Sequence, residues 1–351
     1  MGSNMGIEIK LKHRQCKMHL ILEHKITVIV GLSGTGKSTM HRALTDKDAT
    51  TQIKVSDTRY QIEYISNRQS ADNLIDNNNV FISYKIYLID EGRLEIDNYI
   101  ANAIQYSAHS YFIITSRTNL GKLNFDMHAV KELEMQNNGI TILKDYVLTS
   151  RKTRNELYNM DVESIVIEDA GKAKQWFGEL FKNLNLGVES PEKGGKEQVC
   201  QTLLEKLDNR SGIILSIFDE CSFGCCIKEF KGIVEEYPDR IVTLSNYKSW
   251  EYVILNSNMF KNKFIGYNVD IPKFEESYYE DLLHTLSKQN RYTVISHDSK
   301  SSLSKCYMKP CCIFIGSNNT KCVLGLTGKD KFVALLNNTI FEELLVIAKR
   351  I

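Results

Sequence analysis

No apolar run in this chain of 351 residues approaches the roughly 20 that carry a helix across a bilayer, so no membrane partner is expected. A signal-peptide pattern is also missing, and the compartment expected from that is the cytoplasm. Positive and negative charge nearly cancel, with 44 Lys+Arg against 43 Asp+Glu. The resulting net charge of +1 provides no overall basic field for nucleic acid. Any such contact has to be local, and "SRKTR" (Ser150 to Arg154) is the candidate, set against the simpler reading of a solvated linker. The chain also lacks internal repeats, long low-complexity segments and C-x-x-C pairs. In a chain expected in the cytoplasm, its nine cysteines should be mostly reduced thiols. Cys306, Cys311, Cys312 and Cys322 lie close together with His297 nearby, but without zinc-site spacing they read as buried small hydrophobes.

What is present is an ordinary globular composition, 42% hydrophobic and 25% charged, at a length that suggests about two or three domains. One short string carries most of the chemistry. "GLSGTGKST", Gly31 to Thr39, follows the apolar run "KITVIV" and precedes a segment that can be helical. It fits the phosphate-binding pattern G-x-x-x-x-G-K-[ST], with Gly31, Gly36, Lys37 and Ser38 in the fixed places. Glycines let the backbone curl so that successive N–H groups face phosphate oxygens, and the following helix adds its positive end. Gly31, Ser33, Gly34, Thr35, Gly36, Lys37, Ser38 and Thr39 are thus expected to hold ATP. Lys37 is assigned to the β- and γ-phosphates, the Ser38 hydroxyl to Mg²⁺, and Thr39 to the α-phosphate.

A phosphate loop that serves hydrolysis needs acidic partners. "YKIYLIDEG", Tyr84 to Gly92, is an apolar strand ending in Asp90 and Glu91. Asp90 is expected to hold Mg²⁺ and Glu91 to act as the base on the attacking water. A further strand, "SYFIITSRTN", ends in Ser116 and Arg117. P-loop ATPases often carry a γ-phosphate sensor at such a strand end, and Ser116 is the candidate, with a plain strand-to-loop transition as the alternative.

The elements around these motifs follow from pattern. "IEIKLK" and "KMHLIL" read as paired strands before the loop, "QIEYIS" as a strand, and "SADNLIDNNN" as a short helix entering a turn. "RLEIDNYIANAIQYSA" and "AVKELEMQ" read as helices, and "ITILKDY" as a closing strand. The alternation predicts a parallel α/β sheet with helices on both faces. The paired N-terminal strands and the loop resemble ABC-type ATPases over roughly residues 7 to 145. Two features depart from that family: Lys37 and Asp90 are too close for its inserted helical subdomain, and an LSGGQ-like segment is missing.

After "SRKTRNELYNMD", taken as a linker over 149–160, the pattern restarts. "VIEDAGKAKQWF" resembles the opening of a Toprim (topoisomerase-primase) domain, in which a strand-end glutamate, here Glu168, serves a metal-dependent phosphodiester site. The resemblance implies a second strand ending in D-x-D. "GIILSIFDECSFG" provides Asp219 in the first place but Cys221 in the second. A thiol is a poor ligand for Mg²⁺, so Glu168 and Asp219, with Asp169 and Glu220 beside them, form at best a reduced metal site. "NLGVESPEKGGKEQ" reads as a mobile loop, "EQVCQTLLEKL" as an amphipathic helix, "RIVTLSN" as a strand, and "SWEYVILNSNMF" as a helix whose Glu251 belongs to its surface. The predicted organisation is an ABC-like P-loop ATPase domain over 6–148, a Toprim-like α/β domain over 161–285, and a cysteine-containing segment over 286–351 that ends in an amphipathic helix.

That domain order resembles the overcoming-lysogenisation-defect (OLD) nucleases and related bacterial and phage defence ATPases. The resemblance implies ATP-controlled action on nucleic acid, or ATP-controlled assembly with an effector protein. A homo-oligomer is expected, because the core motifs contain no obvious arginine finger and such sites are often completed in trans. A P-loop kinase and a purely regulatory ATP-binding module are the competing classes. The "LIDE" strand end favours water over a kinase acceptor.

Overall fold

The structure, a computed structural model, describes residues 6–249 apart from 14–15, 32–33, 46–50, 118–119, 138–139, 150, 153–155, 157–159, 169–173, 175–176, 178–186, 192–194, 210 and 245–247. The helix expected around Glu251, the cysteines from Cys306 onward, His297 and the terminal helix lie outside the described residues, as do Ser33 and Asp169. The protein is mixed α/β and divides into two units. The first runs through Val147 and takes in Cys221–Ile227, and the second takes in Leu148–Glu220 and resumes at Lys228.

The first unit is built on a curled nine-stranded sheet, in the order β4-β1-β2-β9-β8-β3-β7-β6-β5. Its strands are β1 (Ile7–His13), β2 (Cys16–Leu22), β3 (Ile26–Val30), β4 (Gln52–Val55) and β5 (Gln61–Ile65). They are followed by β6 (Lys85–Asp90), β7 (Tyr111–Thr115), β8 (Val130–Met135) and β9 (Thr141–Asp145). β1 and β2 alternate strictly, and their antiparallel register sets Ile9 opposite Leu20 and Leu11 opposite Met18. One face of this hairpin is therefore core, and the other carries Lys10, Lys17 and His19. β3, β6 and β7 are near-continuous apolar runs because they are covered on both faces.

Helix α1 (Lys37–Thr45) lays Met40, Ala43 and Leu44 into the cluster formed by Ile7, Ile9, Leu20, Ile29, Leu88 and Ile113. Alternation places Tyr87 and Phe112 on the opposite face, where they stack at 5.2 Å beside Phe81. α2 (Arg68–Asp72) is closed by a capping box on Asn67. In α3 (Asn98–Tyr106) the Asp97 carboxylate accepts the Ile100 N–H at 2.9 Å, and Ile100, Ala101, Ala103 and Ile104 turn inward.

Three expectations for this unit are corrected. The sheet is mixed and not simply parallel: β5, β6, β7, β3 and β8 run parallel, while β1 pairs antiparallel with β2 and β4, and β8 with β9. "AVKELEMQ" is not a helix but contains β8, because hydrogen bonding to β3 on one side and β9 on the other overrides the helix propensity of Lys, Glu, Leu and Met. β9 does not close the sheet; it lies between β2 and β8.

The second unit holds a separate, wholly parallel five-stranded sheet in the order β10-β14-β13-β11-β12. Its strands are β10 (Arg151–Lys152), β11 (Val162–Ile167), β12 (Gly187–Glu189), β13 (Ile213–Ile217) and β14 (Ile241–Leu244). Helix α4 (Lys196–Asn209) buries Val199, Cys200, Leu203 and Leu207, and α5 (Ile227–Glu236) follows β13. Two stretches read as irregular provide strands instead. β12 lies within the expected mobile loop, and β10 within the expected linker, where it pairs with β14. Among the described residues, no helix is long and apolar enough to cross a membrane.

Candidate functional site

β3, β7 and β6 are adjacent and parallel, so their carboxyl ends lie side by side. Residues distant in sequence meet there: the loop after Val30, the Asp90–Glu91 pair after β6, and Ser116 after β7. In open α/β sheets the crevice beyond the carboxyl ends of the strands is where ligands bind.

The loop requires its glycines. Gly34 and Gly36 adopt φ of +85° and +95°, a region that L side chains enter only with strain. A Cβ on Gly36 would also run into the Thr141 hydroxyl and lie 3.2 Å from that residue's Cβ. Thr141 Oγ1 donates to the Thr35 carbonyl at 3.1 Å, so the first residue of β9 braces the loop from a neighbouring strand. The Met40 N–H to Gly36 carbonyl bond (2.8 Å) opens α1 directly from the loop. Lys37 Nζ curls back to the Gly31 carbonyl. Ser38 is exposed in the first turn, and Thr39 is half-buried beside it.

The acidic side is ordered by backbone. The Glu91 N–H donates to the Thr115 carbonyl (3.1 Å), and the Ser116 N–H to the Ile29 carbonyl (3.1 Å). Ser116 Oγ donates to Glu91 Oε2 at 3.0 Å, and the Arg117 N–H reaches the same oxygen at 3.3 Å. The Asp90 carboxylate accepts the Gly92 N–H at 3.1 Å and faces Arg93 at 3.7 Å.

Three residues of this neighbourhood escaped the sequence reading. His41, one turn into α1, is buried, and its Nε2 lies 2.7 Å from Thr115 Oγ1. Burial lowers its pKa, opposed by the nearby Asp90 charge. A histidine among Met40, Ala43 and Leu44 on the inward face of α1 was a readable signal. Thr115 and Thr141 left none, because their roles depend on strand order.

The second cluster is sparser. Glu168 and Asp219 do come together at the ends of adjacent β11 and β13: the Asp219 N–H donates to Glu168 Oε2 at 2.9 Å. Glu220 is engaged elsewhere, since it is buried and meets the Arg151 guanidinium at 2.5 Å. Arg151 is thus tied into this unit and not part of a solvated basic patch. Cys221, the next residue in sequence and grouped with the first unit, is buried as well. Among the described residues, no three His, Cys, Asp or Glu side chains are grouped as a metal site.

A cavity of about 480 Å³ shares no residue with either cluster and is lined by His19, His24, His128, Lys131, Lys144 and Asp145 among others. Both of its lysines and His19 already have carboxylate partners: Lys131 meets Asp145 at 2.5 Å, His19 meets Glu8 at 2.6 Å, and Lys144 meets Glu134. It therefore makes a poor anion site.

Comparison of the chain with protein-family models returns no match, and comparison with curated proteins returns none either.

Proposed function

We propose that the first unit is a P-loop ATPase of ABC-like type, which binds Mg²⁺ and ATP and hydrolyses the nucleotide. The observation that carries this reading is the convergence of the Gly31–Thr39 loop, Asp90, Glu91 and Ser116 at the ends of three adjacent parallel strands. The loop suits a phosphate chain: Gly34 and Gly36 have positive φ, the curl that lets successive backbone N–H groups face phosphate oxygens. Lys37 neutralises phosphate charge, and the oxygens of Ser38 and Asp90 suit a hard cation. Bound Mg²⁺ supplies charge neutralisation of the phosphate oxygens. Glu91 accepts the proton of the attacking water, and Ser116 holds the carboxylate in orientation. The nucleotide state then controls assembly of a homo-oligomer or engagement of an effector protein or nucleic acid, in phage–host defence or nucleic-acid processing.

Incubation with γ-labelled ATP tests this. Free labelled phosphate is expected; transfer to an acceptor would make the protein a kinase, and stable retention a sensor.

Among its described residues, the second unit, proposed as Toprim-like, supports a nuclease reading only through the Glu168–Asp219 contact. The donor set does not fit a two-ion site: Glu220 is held by Arg151, and Cys221 stands in the place of an aspartate. We therefore assign this unit a scaffolding role.

A further inference from the structure

We propose that His41 is a positioning residue that couples the phosphate-loop helix to the acidic strand ends, an inference that rests on the hydrolytic reading above. Nδ1 of the ring is buried and has no hydrogen-bond partner. A buried N–H left without an acceptor costs more than a bare lone pair, so the proton is assigned to Nε2 of a neutral ring, which then donates to Thr115 Oγ1 at 2.7 Å. The threonine hydrogen is left to turn towards the Ile89 carbonyl, 3.4 Å away. An apolar side chain would cover this position without leaving a polar atom unsatisfied, so packing alone does not account for an imidazole here.

What the imidazole adds is a connection. Lys37 and Ser38 occupy the first turn of α1, and His41 lies one turn on, on the inward face. Its partner Thr115 is the last residue of β7, whose carbonyl accepts the Glu91 N–H at 3.1 Å. The next residue, Ser116, holds the Glu91 carboxylate at 3.0 Å. Tyr64, 5.5 Å away ring to ring, packs beside the imidazole. A shift of α1 when its first turn takes up phosphate is therefore passed through one hydrogen bond to the strand end that orients Glu91. This role makes little contribution to nucleotide affinity and a large one to turnover.

The test uses the full-length protein and its His41→Leu, His41→Gln, Thr115→Val and His41→Leu/Thr115→Val variants. The readouts are kcat for phosphate release and Kd for a non-hydrolysable ATP analogue. His41→Leu and Thr115→Val are each expected to lower kcat by about 10- to 100-fold, as misplacement of a catalytic group does. Kd should change by less than about threefold, because the loop and Lys37 are untouched. The double variant should be no slower than either single one, and His41→Gln, which keeps a donor, should recover part of the loss. Thr115→Val is nearly isosteric and tests the same bond should His41→Leu fail to fold. Wild-type kcat in Thr115→Val, additive losses in the double variant, or no recovery with glutamine would overturn the coupling while leaving the ATPase reading intact. A wild-type protein that neither binds nor hydrolyses ATP would overturn both.

Discussion

Ser116 Oγ donates to Glu91 Oε2 across 3.0 Å, linking residues that follow two adjacent parallel strands. The Arg117 N–H, 3.3 Å from the same oxygen, keeps the carboxylate near its place when the hydroxyl is removed. Ser116→Ala is therefore expected to lower phosphate release by about tenfold, a loss of orientation and not of the base. Glu91→Gln should cost about 10²- to 10⁴-fold, the usual worth of a general base, while ATP binding persists. Lys37→Ala should abolish binding itself. Phosphate release and calorimetric titration on the three variants separate these effects, and equal losses in Ser116→Ala and Glu91→Gln would remove the orienting role.

The two positive-φ glycines of the loop should not respond equally to alanine. At Gly34 an added Cβ meets nothing within 4 Å, so only the φ of +85° resists, at about 1–2 kcal/mol. Gly36→Ala has similar strain and also collides with the Thr141 side chain. It should cost more in Tm and in ATP affinity, and Thr141→Ala in the Gly36→Ala background should recover the steric part alone. Equal effects at the two glycines would show that the Thr141 brace is unimportant.

Most of this candidate site was legible because the residue types that mark it are local in sequence. The loop, the Asp90–Glu91 pair and the Ser116 strand end each announce themselves by residue type after an apolar run. Their convergence depends on strand order, which no single segment encodes: β7 enters between β3 and β6 although it follows both in the chain. The same limit explains β8, where Lys131, Glu132 and Glu134 favour a helix and pairing on two sides decides for a strand. Arg151 looked solvated because its partner Glu220 is remote in sequence.

Cys16 provides a check on the first sheet that does not depend on nucleotide. It is fully buried at the β1–β2 hairpin, and burial pushes its thiol up to about 11. At pH 8 only about one molecule in a thousand would carry the reactive thiolate, even if reagent could enter. Iodoacetamide should leave the Cys16 peptide unmodified in native protein and label it fully in urea, as read by mass spectrometry. Rapid native labelling would contradict the hairpin packing.

The Arg151–Glu220 pair makes β10 more than an accidental edge strand. Arg151→Met strands a carboxylate that is 2% exposed, at an expected cost of about 3–5 kcal/mol. Arg151→Met/Glu220→Leu should regain most of that stability, because an apolar pair can replace a buried ion pair. Urea unfolding of the two single variants and the double variant measures the coupling. Additive losses would mean that the pair does not form in solution.

The same pair bears on whether the second unit cuts nucleic acid. With Glu220 held by Arg151, Glu168 and Asp219 are the acidic candidates left among the described residues, and Glu168 already accepts the Asp219 N–H. Two carboxylates can attract one cation but cannot hold two ions in line with a scissile bond. Wild-type protein should therefore be inert towards DNA and RNA with Mg²⁺ or Mn²⁺. Cys221→Asp should not repair the site, because position 221 is only 6% exposed and a carboxylate there would have to be desolvated. A Tm lowered by several degrees, without gain of metal binding, is the expected outcome. Metal-dependent nicking by the wild type, lost in Asp219→Ala and retained in Lys37→Ala, would reverse the assignment and make the second unit the catalytic one.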